Sequence, residues 1–186
     1  MKPRFSMLAA SLLLAACYNA DDNDQNISID ENGSPAAEGE VTLMSPTGEQ
    51  VGTVAYLEEP SGMQLRISVN GLAPGVHAVH LHTTGTCEAP DFSTAGGHWN
   101  PMGKEHGRDN PDGAHLGDLA NMNVGEDGTG TATYMVAGVS FEGVEPAMSD
   151  SDGTALVIHE GADDYATDPT GDAGGRVACA VLAEAA

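Results

Sequence analysis

Positive charge is what this chain of 186 residues most lacks: Lys and Arg together number 6 against 28 Asp and Glu, a formal net charge of −22. A surface so acidic repels a phosphate backbone, which argues against nucleic acid as a partner. Cysteine is scarce as well, at 3 residues, and no apolar run reaches the roughly 20 residues that a bilayer-spanning helix needs. Nowhere do apolar positions recur with a convincing helical period, and no internal repeat is visible, which sets aside helical bundles and solenoids. The length allows one domain plus tails.

The first residues do carry a signal. Lys2 and Arg4 precede an apolar run from Met7 to Ala16, which ends Leu14-Ala15-Ala16-Cys17. The pattern predicts a secretory signal peptide over residues 1–16. Its ending resembles the bacterial lipobox, in which cleavage leaves the cysteine as a lipid-modified N-terminus. Cys17 is therefore the expected membrane attachment, and the expected location is the cell envelope of a bacterium, lipid-anchored, on the periplasmic side or the cell surface. An ordinary cleaved signal that happens to contain a cysteine is the alternative. Cleavage before Cys17 removes two cations and leaves Arg66, Lys104, Arg108 and Arg176 against 28 acids, a charge of about −24. Residues 17–40 are Asn, Asp, Glu, Ser, Gly and Ala with few apolar side chains, and read as an acidic disordered tether. With Cys17 carrying lipid, Cys87 and Cys179 remain as an even pair in an oxidising compartment, where a disulfide is the natural reading.

From residue 41 onward the pattern is all-β. Short apolar stretches at 41–44, 51–57, 63–69, 75–82, 116–124, 130–136, 154–159 and 176–182 are separated by Pro-, Gly-, Asn- and Asp-bearing turns, about eight strands in all. The stretch 63–69 alternates cleanly, with Leu65, Ile67 and Val69 on one face and Gln64, Arg66 and Ser68 on the other. Two long aperiodic segments, 83–114 and 160–175, are loops. A structureless loop as long as the first is expected only where it is functional or pinned.

The pins are histidines. Residues 75–82 read G-V-H-A-V-H-L-H, and strand alternation puts His80 and His82 on one face with Val76 and Ala78, leaving His77, Val79 and Leu81 on the other. Two neutral imidazoles at i and i+2 on an exposed strand face suit copper or zinc, although such a pair alone is more often surface decoration. His98, His106, His115 with Asp118, and His159 follow. Six histidines and a carboxylate exceed the four ligands of one tetrahedral zinc, so two metals sharing a ligand fit better.

Taken in order, G-V-H-A-V-H-L-H at Gly75, A-G-G-H-W-N-P at Ala95, K-E-H-G at Lys104, H-L-G-D-L-A-N at His115, L-V-I-H-E-G-A-D-D-Y at Leu156 and T-G-D-A-G-G-R-V-A-C at Thr170 resemble the copper/zinc superoxide dismutases from about residue 41 to 182. The resemblance implies an all-β domain over 41–186, an eight-stranded Greek-key β-barrel or sandwich with two long functional loops. It implies an enzyme that converts superoxide to oxygen and hydrogen peroxide. One copper per subunit would lie on His80, His82, His98 and His159, and one zinc on His98, His106, His115 and Asp118, with His98 shared between them and moving a proton. Arg176 would dock the superoxide anion, Thr170 would narrow the channel to the copper, and Asp163 would join a copper histidine to a zinc histidine. The Cys87–Cys179 bridge would tie the long loop to the last strand. His77 reads as a structural histidine bonding backbone, and Trp99 as packing. The sequence leaves a homodimer open.

The chain also departs from the family pattern. Ala78 and Ala180 stand where the family often has Gly, Asp172 replaces the usual Asn, and no Arg precedes L-V-I-H. Residues 160–175 contain no Lys or Arg, while Glu160, Asp163, Asp164, Asp168 and Asp172 are acidic, which predicts weak electrostatic steering of an anionic substrate. A non-catalytic metal carrier on the same fold is the competing reading, and a barrel that has lost its metals a third. Neither needs the arginine hook or a shared ligand.

Overall fold

The structure, a computed structural model, describes residues 39–185. The signal segment, Cys17 and the tether through residue 38 lie outside the described residues. Nine strands are described: β1 (Gly39–Met44), β2 (Gln50–Glu59), β3 (Gly62–Asn70), β4 (Gly75–His77), β5 (Val79–His82), β6 (Met122–Val124), β7 (Thr129–Ala137), β8 (Thr154–His159) and β9 (Arg176–Ala183). Helix among the described residues is confined to a 3-10 turn at Ser93–Ala95.

Seven strands form one curled antiparallel sheet in the order β5-β8-β9-β1-β2-β3-β7, and β4 pairs with β6. Alternation explains the centre of this sheet: Leu65, Ile67 and Val69 of β3 are buried, and Ser68 between them is exposed. β3 pairs without a break against β7, from Gly62 opposite Ala137 to Asn70 opposite Thr129. The inward residues meet Leu43, Val54, Leu81, Leu156 and Ile158 in one core, all essentially without solvent exposure. A buried leucine of this kind contributes about 1.5–3 kcal/mol of apolar transfer free energy.

Two expected strands take a different form. The stretch 75–82 is divided at Ala78, whose N–H donates to the Gly161 carbonyl at 2.8 Å and whose carbonyl accepts the His159 N–H at 2.9 Å. Its backbone is occupied by the second loop, which is why one expected strand becomes two. The stretch 116–124 forms a strand only at Met122–Val124. Residues 115–118 turn inward instead, and the chain returns to β5 through Leu119 N–H to Val79 O at 3.2 Å. The predicted exposure of the histidine face is corrected too: Val79, His80, Leu81 and His82 are all buried. The loop that brings the remaining histidines covers them.

The cysteine pair is a disulfide, Cys87–Cys179, with Cα atoms 5.8 Å apart. Cys179 of β9 is also the residue that pairs with Val157 of β8 and with Met44 of β1.

Candidate metal centre

Each long segment delivers side chains to one buried volume beside β5. β5 itself presents His80 and His82. The first loop runs back along it, pairing His98 with His82 and Asp118 with His80 as isolated bridges. Trp99 fixes this return by donating its N–H to Leu81 O at 2.7 Å while its own carbonyl accepts Gly117 N–H at 2.9 Å, and its side chain is buried in the core. β8 ends on His159, and β9 begins on Arg176, its register partner.

Two groups of ligand-type atoms result, each within 4.8 Å of one another: His80, His82, His98 and His159, and His98, His106, His115 and Asp118. His98 belongs to both. A third convergence, His80 and His106 on Asp163, lies behind them.

Hydrogen bonding decides which nitrogen of each ring is free. His80 Nε2 and His106 Nε2 donate to the two oxygens of Asp163, at 2.8 Å and 2.9 Å. His82 Nδ1 donates to Gly96 O at 2.9 Å, and His159 Nδ1 to Gly174 O at 3.3 Å. Bonds of this kind fix tautomer and ring direction in metal-binding histidines. The opposite nitrogens then face inward. His80 Nδ1 and His98 Nε2 are buried with no hydrogen-bond partner, and His106 Nδ1 makes no hydrogen bond although Asp118 Oδ1 lies 3.0 Å away, a costly condition unless something else satisfies them. Around Asp118 Oδ1 gather His98 Nδ1 at 2.9 Å, His106 Nδ1 at 3.0 Å and His115 Nδ1 at 3.1 Å. With zinc–nitrogen bonds of about 2.0 Å, the edge of a tetrahedral site is roughly 3.3 Å, close to these separations. Asp118 Oδ2 is held by the N–H groups of Gly107 at 2.9 Å and His115 at 3.0 Å, which aims the other oxygen at the rings. In the other group His82 Nε2 and His159 Nε2 stand 3.4 Å apart. The donor sets fit two borderline metal ions, one with four imidazoles and one with three imidazoles and a carboxylate.

Electrostatics keep these groups in their binding forms. Burial drives His82 down to about 2, His98 to about 4 and His159 to about 3, and neighbouring imidazoles add to each. Arg176 lowers His82 and His159 a little further. At neutral pH these three rings are neutral and need lose no proton to bind a metal. Burial opposes ionisation of Asp163, yet His80, His106 and the Tyr165 N–H together hold it down to about 2. Asp118 is likewise held well below the usual carboxylate range, its contacts with His98 and Gly107 outweighing burial.

The family model for copper/zinc superoxide dismutase (SODC) matches residues 50–182. The chain belongs to that family. It is 35% identical over 184 residues to superoxide dismutase [Cu-Zn] 2 of Aquifex aeolicus, an alignment covering 98% of this chain and 99% of that one. It is 42% identical over 138 residues to the Cu-Zn superoxide dismutase of Caulobacter vibrioides, covering 73% and 79%. The solved structure of a SOD-like protein from Bacillus subtilis superposes with a TM-score of 0.73 at 40% identity, covering 77% of this chain and 97% of that one. The protein is thus an oxidoreductase acting on superoxide, with copper and zinc as its cofactors.

The other residues named from the sequence are distributed as follows. Arg176 is half-buried and donates to the carbonyls of Phe92 at 2.5 Å and Gly96 at 2.6 Å, both on the segment that begins at Cys87. Thr170 is exposed on the second loop, its carbonyl accepting Ala173 N–H at 3.4 Å. His77 bonds backbone: Nδ1 lies 2.7 Å from His159 O and Nε2 2.9 Å from Ala73 O. Ala78 and Ala180 are buried, and Ala180 belongs to the main core. Asp172 has φ of 51°, a left-handed conformation that Asn and Asp tolerate better than most residues. Of the five acids in the second loop, Asp163, Asp164 and Asp168 accept internal hydrogen bonds, Asp164 from the N–H groups of Ala166 and Thr167.

Sequence reasoning missed two supports of Asp163. Asn121 donates from Nδ2 to Asp163 O and accepts Asp163 N–H on Oδ1, both at 2.9 Å. Asn121 ends the H-L-G-D-L-A-N motif, so the signal was present but carried no visible chemistry. Gly171 passes so close to the Asp163–His106 contact that a Cβ there would stand 1.9 Å from Asp163 Oδ1. Only a residue without a side chain lets the loop close over that pair.

Proposed function

We propose that His80, His82, His98 and His159 hold copper, that His98, His106, His115 and Asp118 hold zinc, and that Arg176 receives superoxide. The observation that carries this reading is the set of buried ring nitrogens on His80, His98 and His106 that make no hydrogen bond, each on a residue belonging to one or both of the two groups of four. Copper, when bound, supplies one-electron redox chemistry, so that two superoxide anions and two protons give one oxygen and one hydrogen peroxide. Arg176 attracts and orients the anion, its guanidinium charged at any working pH. Phe92 O and Gly96 O hold it at the start of β9, and the disulfide holds the segment that supplies both carbonyls. His98 Nε2, buried without a partner, holds and returns a proton. Asp118 Oδ2, fixed by two N–H groups, and Asp163, fixed by Asn121, keep the rings aligned. Thr170 narrows the approach.

The barrel connectivity is read as Greek-key. Residues 1–16 are read as the signal peptide, Cys17 as the lipidated N-terminus, and residues 17–38 as the tether that holds the domain off an envelope membrane, the last two residues of the expected tether, Gly39 and Glu40, being strand residues of β1 paired with β2. The Leu14-Ala15-Ala16-Cys17 ending supports this. Cys17→Ser is expected to release the protein from membranes, and continued membrane association overturns the lipid anchor.

The assignment is tested by metal analysis and superoxide consumption in wild type and His159→Ala. The variant is expected to lose turnover and keep one zinc per chain. A variant that turns over at the wild-type rate, or a wild type that binds metal without consuming superoxide, overturns it; the second result favours the carrier reading.

A further inference from the structure

Tyr165 makes four contacts, three of which join the two long loops. Its ring lies beneath the guanidinium of Arg108, with Cζ 3.7 Å from the ring centroid. Its N–H donates to Asp163 Oδ1 at 2.7 Å, the oxygen that also receives His106 Nε2. Its carbonyl accepts Asp109 N–H at 3.0 Å, and its hydroxyl accepts Asn121 N–H at 2.9 Å. All this is done from a φ of 64°, a left-handed conformation that is a genuine outlier for an aromatic residue and persists only where the surroundings over-determine it. The facing loop is shaped to meet it: Gly107, with φ of 97°, approaches so closely that a Cβ there would lie 2.1 Å from Tyr165 O. Gly107 and Arg108 directly follow His106 in the chain. A second tie, His106 N–H to Asp168 Oδ1 at 2.7 Å, runs between the same loops.

We propose that Arg108 stacked on Tyr165 is a clasp that holds the loop bearing His106 and His115 against the loop bearing Asp163, and so slows the departure of zinc. Arg108 and Tyr165 are positioning residues, and the proposal rests on the zinc assignment above. Departure requires the His106 ring to swing away from Asp118. That ring is anchored at its far nitrogen by Asp163 Oδ1, and Tyr165 N–H steadies the same oxygen. Opening the clasp lets Tyr165 withdraw, removes one donor from that oxygen and frees His106 to turn.

The test uses the full chain loaded with copper and zinc, following zinc release to a chelator, with cobalt in the zinc position reporting ligand geometry by its visible spectrum. An exposed cation–π pair predicts that Arg108→Ala releases zinc on the order of threefold to fivefold faster, and that Arg108→Lys, which keeps a cation over the ring, stays within about twofold of wild type. Tyr165→Gly removes strain, ring and hydroxyl together, and is expected to release zinc faster than Arg108→Ala and to alter the cobalt spectrum. The melting temperature of metal-free Arg108→Ala is expected to match wild type; a drop there with unchanged zinc release assigns the stack to general stability and overturns the clasp. Wild-type release rates in both Arg108→Ala and Tyr165→Gly also overturn it. A wild type that takes up no zinc overturns the zinc assignment, and the clasp with it.

Discussion

The sheet of β1, β2, β3 and β7 and the loop between β5 and β6 lie in one domain but are held by different forces. In the sheet, β3 pairs with β7 over its whole length and with β2 from Gly62 opposite Glu59 to Val69 opposite Gly52. Its inward side chains are apolar apart from the buried hydroxyl of Tyr134, so the fold there is chiefly a consequence of backbone pairing and area removed from water. The loop has two isolated bridges to β5 and β6 at its far end. It is held further by the Cys87–Cys179 bridge, by Trp99 in the core and by polar side chains converging on Asp118 and Asp163, two carboxylates surrounded by imidazoles. The sheet is stable by its own composition. The loop gathers buried imidazoles and a carboxylate that could hold metal, so its stability rises with what binds there.

That contrast can be broken most sharply at its centre. His98→Ala removes the residue common to both metal groups, and superoxide consumption is expected to fall to background with loss of copper and zinc together, checked by metal analysis. If zinc stays at one per chain, His98 is not a shared ligand. In the sheet, Leu65→Ala is expected to cost about 2–5 kcal/mol in denaturant unfolding while the folded fraction keeps its metal content. Loss of metal at full stability there would dissolve the distinction between the regions.

A graded effect is expected from pH on the metal-free protein. His82, His98 and His159 have folded values lowered to about 2, 4 and 3 from an ordinary 6.5. Between those limits the unfolded chain binds more protons than the folded one, so stability falls as pH falls below about 6.5. Unfolding midpoints across pH 7.5 to roughly 4 measure it, and a metal-free protein equally stable at both ends contradicts the buried neutral imidazoles. The smallest expected effect is that of salt on turnover. No Lys or Arg lies in residues 160–175, so the rate is expected to change little as ionic strength rises, and a steep fall from low salt would show strong steering by Lys104, Arg108 and Arg176.

The same division governs what could be read in advance. Period-two alternation located β3 to within one residue at each end, because one buried face is a local property of the sequence. The histidines and Asp118 that the structure brings together stood out in the sequence because His and Asp announce their chemistry. The division of the histidine strand at Ala78 was not legible, since it depends on His159 at the end of β8 and Gly161 of the loop that follows occupying that backbone. Nor was the burial of His80 and His82, which follows from the loop that lies over them. Asn121, Gly171 and Tyr165 escaped for a related reason: each acts through a backbone or a close approach that exists only after both loops are in place.

The meeting of Met44, Val157 and Cys87 at Cys179 has a kinetic meaning. Pairing β1 with β9 joins the two ends of the described chain, the contact with the largest loop to close and hence among the slowest to find. Once Cys87 is linked to Cys179, the path from residue 44 to residue 179 runs through the cross-link and is roughly a third as long, which eases closure by about 1 kcal/mol. An oxidised chain therefore reaches the closed sheet by a shorter search than a reduced one, and the segment supplying the two carbonyls that seat Arg176 is anchored in the same event.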